Sequence, residues 1–253
     1  MKIAILGSGN VATHLSKALK AIGEDVVQVY SPNLEHAKLL ADELQASAIN
    51  DLDQVIGDAD LYAVCVKDDA IATVATGLKN VNGLVVHTSG TTDLETLSST
   101  LKNTGVFYPL QTFSKHKEVS FNNIPLCVEA NSEANFEILN LLANKLSNQV
   151  YKLDGEKRKV LHLAAVFACN FTNHLYTLAN QLLEKNNLVF EIIRPLIAET
   201  ADKVMVNLPE NVQTGPAVRK DEITINKHLS MLADLPELQE IYQTLSSSIK
   251  LTY

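Results

Sequence analysis

Histidine is the side chain whose unperturbed titration falls between pH 5 and 8, so proton exchange is sought first where histidines sit among amides and hydroxyls. Two such places occur. His87, Thr88, Ser89 and Gly90 follow the apolar run GLVV. An imidazole there can exchange a proton, and Ser89 can orient a carbonyl or carboxylate. The alternative is a polar loop leading into a helix capped by Thr92 or Asp93. The second place is the glycine- and proline-free stretch 156–186. At ~100° per residue, His162, Asn170, Asn173, His174 and Thr177 fall on one side of a helix, while Leu161, Ala164, Ala165, Ala168, Phe171, Leu175 and Leu182 face away. In a chemical reading this stripe faces a substrate, with His162, Asn170, Asn173 and His174 as its candidate groups. In the plainer reading this is the solvated face of an amphipathic helix, although Lys and Glu gather at the ends of the stretch instead. His162 and His174 lie about 18 Å apart at ~1.5 Å rise per residue, too far to share one metal ion, and no metal is expected.

Two further segments offer polar groups at breaks in the chain. TGPAVRKD (214–221) must turn at its Gly-Pro. Arg219 can there bind a carboxylate or phosphate through paired N–H groups, or it can belong to a charged helix start capped by Asp221. FYPLQTF (107–113) puts Gln111 and Thr112 at the end of an apolar run. Gln111 can meet a substrate there, or the segment can serve only to pack Phe107, Tyr108 and Phe113.

Anion chemistry points to the start of the chain. KIAIL runs into GSGNVA, so Gly7, Gly9 and Ala12 occupy the three positions of G-x-G-x-x-G/A. Gly7 permits a tight turn, Gly9 lets backbone approach a pyrophosphate, and Ala12 lets helix and strand pack closely. The amides of Ser8, Gly9, Asn10 and Val11 then face the phosphates at a helix N-terminus. The expected ligand is a nicotinamide dinucleotide. VVQVY ends in Tyr30 and Ser31 with no carboxylate to bond both ribose hydroxyls, which favours NADP over NAD. Ser31 can donate to a 2′-phosphate, with Lys38 as a remote cation. Val66 and Lys67 follow LYAVCV and should pass near the middle of the cofactor, with HTSG near the nicotinamide.

Positioning these groups requires a particular set of elements. Strand-like runs at 2–6, 26–30, 61–66, 83–89, 106–111, 125–130 and 149–153 alternate with helical patterns at 11–22, 34–45, 70–78, 92–102 and 132–147. That alternation predicts an α/β, mainly parallel sheet covered on both faces, a dinucleotide-binding Rossmann domain over residues 1–152. From 153 to 253 the pattern is all helical, with helices expected at 156–186, 189–206, 222–234 and 236–249, forming a second, helical domain. The net charge of −8 argues against nucleic acid or an anionic membrane as partner. No apolar run approaches the ~18 residues of a membrane helix, and KIAIL is too short for a signal peptide, so a cytoplasmic protein is expected. Cys65, Cys127 and Cys169 lie far apart in apolar segments and read as buried thiols.

GSGNVA resembles the opening of pyrroline-5-carboxylate reductases and deazaflavin-dependent NADP oxidoreductases. HTSG, FYPLQTF, AAVFACNFTNHLY (164–176) and QTGPAVRKD (213–221) resemble, more specifically, a family of bacterial Rossmann-like NADP oxidoreductases of unassigned substrate. The C-terminal helical domain of that family is similar to that of 6-phosphogluconate dehydrogenase. The resemblance implies hydride transfer between the nicotinamide and a small carbonyl, imine or alcohol, and a homodimer through the C-terminal helices. Related β-hydroxyacid dehydrogenases place a lysine and an asparagine on the corresponding helix, positions that His162 and Asn170 would take here with wider spacing. Related cofactor sites often carry Ser-Arg after the second strand, whereas Ser31 is followed by Pro32. A different class of function, a non-catalytic dinucleotide-binding redox sensor acting through a partner, fits the same turn.

Overall fold

The computed structural model describes every residue except Lys79 and His116. The chain divides into two compact units, Met1–Cys169 and Asn170–Tyr253. Composition alone divides it at 152/153. The difference is the helix after the last strand, whose Arg158 and His162 are bonded to sheet and loop residues of the first unit.

The first unit carries β1 (Lys2–Leu6), α1 (Asn10–Ala21), β2 (Asp25–Tyr30), α2 (Leu34–Leu44), β3 (Ser47–Ile49), β4 (Leu61–Val64) and α3 (Ile71–Gly77). β5 (Leu84–His87), α4 (Glu95–Ser98), β6 (Thr104–Pro109), β7 (Leu126–Ala130), α5 (Glu133–Leu146), β8 (Val150–Lys152) and α6 (Gly155–Ala165) follow. The sheet order is β3-β2-β1-β4-β5-β6-β7-β8. β1 to β6 are mutually parallel, β7 runs antiparallel to β6, and β8 is parallel to β7. β1, β4, β5 and β6 read as nearly continuous apolar runs because both faces are covered. Residues of α1, α2 and α5 share one apolar cluster with the sheet, and residues of α3 and α4 share the other. Strand order reverses at β1, which has β2 on one side and β4 on the other, and such a switch point opens the ligand crevice of doubly wound sheets.

Several local expectations are revised. β3 has three residues, of which only Ile49 is buried, too short to leave a pattern. The helix expected over 92–102 shrinks to Glu95–Ser98, and neither Thr92 nor Asp93 caps it. β7 turns back because the described residues of the β6–β7 connection hold only a 3-10 turn, Phe121–Asn123, and no crossover helix. α6 opens at Asp154, whose carboxylate accepts from Lys157 N at 2.9 Å. It passes into a π-helical turn, Val166–Phe171. Cys65 and Cys127 are buried as expected, but Cys169, in that turn, is exposed, as are its apolar neighbours Phe167 and Phe171.

The second unit holds α7 (Thr172–Lys185), a 3-10 turn Phe190–Ile193, α8 (Arg194–Val206), α9 (Glu222–Met231) and α10 (Pro236–Thr252). His228 Nδ1 and Tyr242 Oη, 2.8 Å apart, join α9 to α10, and Gln239 Nε2 donates to Leu229 O at 2.8 Å. Its buried apolar side chains among the described residues are Ala217, Ile225 and Leu232. No helix of the described residues is long and apolar enough to cross a membrane.

Candidate functional site

The turn after β1 is shaped by two glycines with different reasons for being glycine. Gly7 has φ +134°, and a Cβ there would meet Cys65 O at 2.3 Å, so the close approach to β4 excludes any side chain. Its amide donates to Tyr30 O at 2.8 Å, which fixes the turn to the end of β2. Gly9 is the N-cap of α1 at φ −79° and ψ −170°, a conformation open to every residue. A Cβ there meets nothing within 4 Å. The protein's own packing therefore does not require glycine at position 9; a group seated against that backbone would. α1 has no side-chain cap and no acid in its first turn, so its leading amides and dipole remain available to an anion. Ala12 is fully buried at the helix–sheet contact. These features fit a dinucleotide pyrophosphate.

The other expected cofactor residues surround this turn. Asn10 is exposed, Val11 half-buried, and Tyr30 and Ser31 are buried at the end of β2. Burial, then the Asp51 carboxylate, raise the Tyr30 phenol above its ordinary value. Ser8 Oγ donates to Ser31 Oγ at 3.0 Å, leaving the Ser31 proton to donate outward. Lys38 is paired with Glu35 at 2.9 Å. Val66 and Lys67 follow β4 directly after Cys65, beside Gly7.

A second group of residues lies beyond β5 and β6, on the same C-terminal edge of the parallel strands. The last residue of β5, His87, is fully buried, and its Nδ1 accepts from Ser89 N at 3.2 Å. Burial, and then the Arg158 guanidinium, push its imidazole down to about 4, so the ring is neutral and internal. Ser89 Oγ accepts from Thr91 N at 3.1 Å and Thr92 N at 2.9 Å, fastening the loop on itself. Tyr108, near the end of β6, lies with its Oη 3.0 Å from His162 Nδ1. Burial raises that phenol to about 12. Gly90 is the contact point: a Cβ there would meet His162 Nδ1 at 2.6 Å and Tyr108 Cζ at 2.9 Å. His162 itself is half-buried, so its ring retains access to solvent.

Arg158, fully buried on α6, pairs with Glu129 of β7 and donates to Thr92 O at 2.5 Å. It thereby binds helix, sheet and HTSG loop together one helical turn before His162. Neither Tyr108 nor Arg158 stands out in the sequence as part of a site. Tyr108 reads as packing, and an arginine in a charged helix start reads as solvated. The legible signal is the placement of Tyr108 at a strand end beside Pro109.

Gln111 is exposed, and its Oε1 accepts from its own neighbour Thr112 N at 2.7 Å. Asn170, Asn173 and His174 belong to the second unit and are exposed, as is Arg219 in the loop before α9. Asp221 caps α9, accepting from Thr224 N at 3.1 Å. The single face reckoned from His162 to His174 assumes an uninterrupted α-helix. The i→i+5 turn at Val166–Phe171 shifts the phase, so angles counted from His162 do not carry beyond it.

Strand order, switch point and glycine turn together define a Rossmann-type dinucleotide-binding protein with a helical C-terminal unit. Residues 2–89 match the family described as NADP oxidoreductase, coenzyme F420-dependent. Residues 124–249 match a domain of unknown function, DUF2520. Comparison with curated proteins finds no match. Among solved structures, a Bacteroides fragilis protein described as a candidate NADP oxidoreductase is 48% identical, with 98% of this chain and 97% of that chain covered and a TM-score of 0.94. The chain belongs to the family of that protein. A Thermotoga maritima protein shares the fold at 22% identity and TM-score 0.74, covering 98% of this chain and 96% of the other. So does a Plasmodium falciparum pyrroline carboxylate reductase solved with NADP bound, at 12% identity and TM-score 0.63, covering 99% and 98%.

Proposed function

We propose that the protein is an NADP-dependent oxidoreductase acting on a small carbonyl, imine or alcohol, with His162 exchanging the proton. The observation that carries this reading is the Tyr108–His162 pair, Oη to Nδ1 at 3.0 Å, on the strand edge that also bears the glycine turn. A bound nicotinamide would supply or accept the hydride. Neighbouring strands lie ~4.8 Å apart, so the three steps from β1 to β6 put about 14 Å between the strand that leads into the phosphate turn and the one that carries Tyr108. Tyr108 stays protonated at neutral pH and holds Nδ1, which leaves Nε2 as the ring atom free to give or take a proton at the substrate's oxygen or nitrogen. Gly90 and the Ser89-fastened loop hold the ring in place, which is the orientation component of catalysis. Asn170, Asn173, His174 and Arg219 stay candidates for substrate contact from the helical unit. NADP is favoured over NAD by the hydroxyl pair Ser8–Ser31 and by the lack of a carboxylate at the end of β2. The working form is a cytoplasmic homodimer joined through the C-terminal helices.

The test measures thermal shift and binding with NADPH and NADH separately. NADPH at ~100 times its dissociation constant should add about 2.7 kcal/mol of stability, and equal or no stabilisation by NADPH sinks the cofactor choice. In NADPH oxidation over a panel of small carbonyls and imines, His162→Gln should lower turnover by about 100-fold with NADPH affinity kept. Unchanged turnover removes His162 from the mechanism.

A further inference from the structure

We infer that residues 113–115 of the β6–β7 connection are a strap laid over the phosphate turn, and that Lys115, carried on it, holds the pyrophosphate of the dinucleotide. The inference rests on the dinucleotide reading above and adds a residue from outside the glycine motif. Three successive strap residues are tied to the turn or to the first two turns of α1, about a hundred positions away. Phe113 O accepts from Asn10 Nδ2 at 2.9 Å. Ser114 O lies 2.9 Å from His14 Nε2. Lys115 Nζ donates to Ser8 O at 2.8 Å. The Phe113 ring is stacked between His14, at 5.1 Å, and Phe121, at 5.8 Å, so the strap is seated by packing as well as by polar contacts.

The electrostatics of this arrangement suit an anion beside the turn. The N-terminal end of α1 carries about half a positive charge, and its first turn contains no acid to offset it. Holding an ammonium on the carbonyl between Gly7 and Gly9 adds a second positive charge at that end. Two like charges are then fixed together in the protein alone, and an anion beside the turn converts both into attraction. Lys115 is exposed and has two N–H groups left after the bond to Ser8 O. The two sides of Ser8 also separate the possible phosphates. Its hydroxyl turns to Ser31 at the β2 end, where a 2′-phosphate would lie, while its carbonyl turns to Lys115 over the turn itself. That division assigns Lys115 to the pyrophosphate, which NADPH and NADH share.

The experiment titrates wild type, Lys115→Gln and Lys115→Arg with NADPH and with NADH. Lys115→Gln should weaken both nucleotides by about ten-fold, a typical loss for a charge-assisted hydrogen bond. Lys115→Arg should keep most of the affinity, and the melting temperature without ligand should not move. Binding of both nucleotides to Lys115→Gln at wild-type strength overturns the assignment and leaves the dinucleotide reading standing. A loss confined to NADPH overturns the pyrophosphate assignment. A wild-type protein that binds neither nucleotide overturns the dinucleotide reading, and this inference with it.

Discussion

A histidine sealed from water at the end of β5 makes folding depend on pH. His87 has an ordinary value near 6.5, and burial, reinforced by Arg158, lowers it to about 4 in the folded protein. Between those values the unfolded chain binds a proton that the folded chain refuses, so stability rises with pH. It is complete above about pH 6.5, falls progressively as pH drops to about 4, and levels off below that. The full loss is on the order of 3 kcal/mol. Urea denaturation at pH 7, 5.5 and 4.5 should show this decline, and His87→Asn should flatten it; an unchanged slope in the variant assigns it elsewhere. The sequence marks HTSG as polar residues at a strand end, but it does not reveal which way each one points. Burial sends His87 inward and leaves Tyr108, read as packing from FYPLQTF, to meet His162. Such pairings come from strand register and helix placement, which no short segment encodes.

At the scale of elements, α6 is fixed to the sheet by one buried charge. Arg158 joins Glu129 of β7 and the carbonyl of Thr92, and so sets where His162 stands. Removing the arginine leaves the Glu129 carboxylate, 21% exposed, without its partner, at a cost of about 1–3 kcal/mol. Arg158→Met should therefore destabilise by that amount in urea titration, and adding Glu129→Gln should recover part of it. A double variant no better than the single would show that the pairing is not the source. Most elements are legible from periodicity: β1, α1, β2 and α2 fall within a residue or two of their expected bounds. The exceptions each have a physical cause. β3 is too short to alternate, and strand direction at β7 depends on what the connection contains. The π-helical turn leaves the 3.6-residue pattern almost untouched while shifting its phase.

Considered whole, the chain leaves its C-terminal unit short of a core. Ala217, Ile225 and Leu232 are its buried apolar residues, while Leu196, Met205 and Val206 are 65%, 80% and 83% exposed. A unit with so little apolar burial needs a partner surface, which supports the proposed second copy. Light scattering should give twice the monomer mass, and the melting temperature should rise with protein concentration. Leu196→Asp should shift the protein toward monomer. A monomer at every concentration would remove the dimer.

Loop, strand and helix, contributed by residues 90, 108 and 162, meet where there is no room for one methyl carbon. The absent carbon works as a fitting tolerance: it lets three parts made at distant points of the chain close on one another. Anyone redesigning this part of the first unit inherits that tolerance. A side chain added at Gly90 would have to displace the His162 imidazole and the Tyr108 ring, the two groups its Cβ meets first.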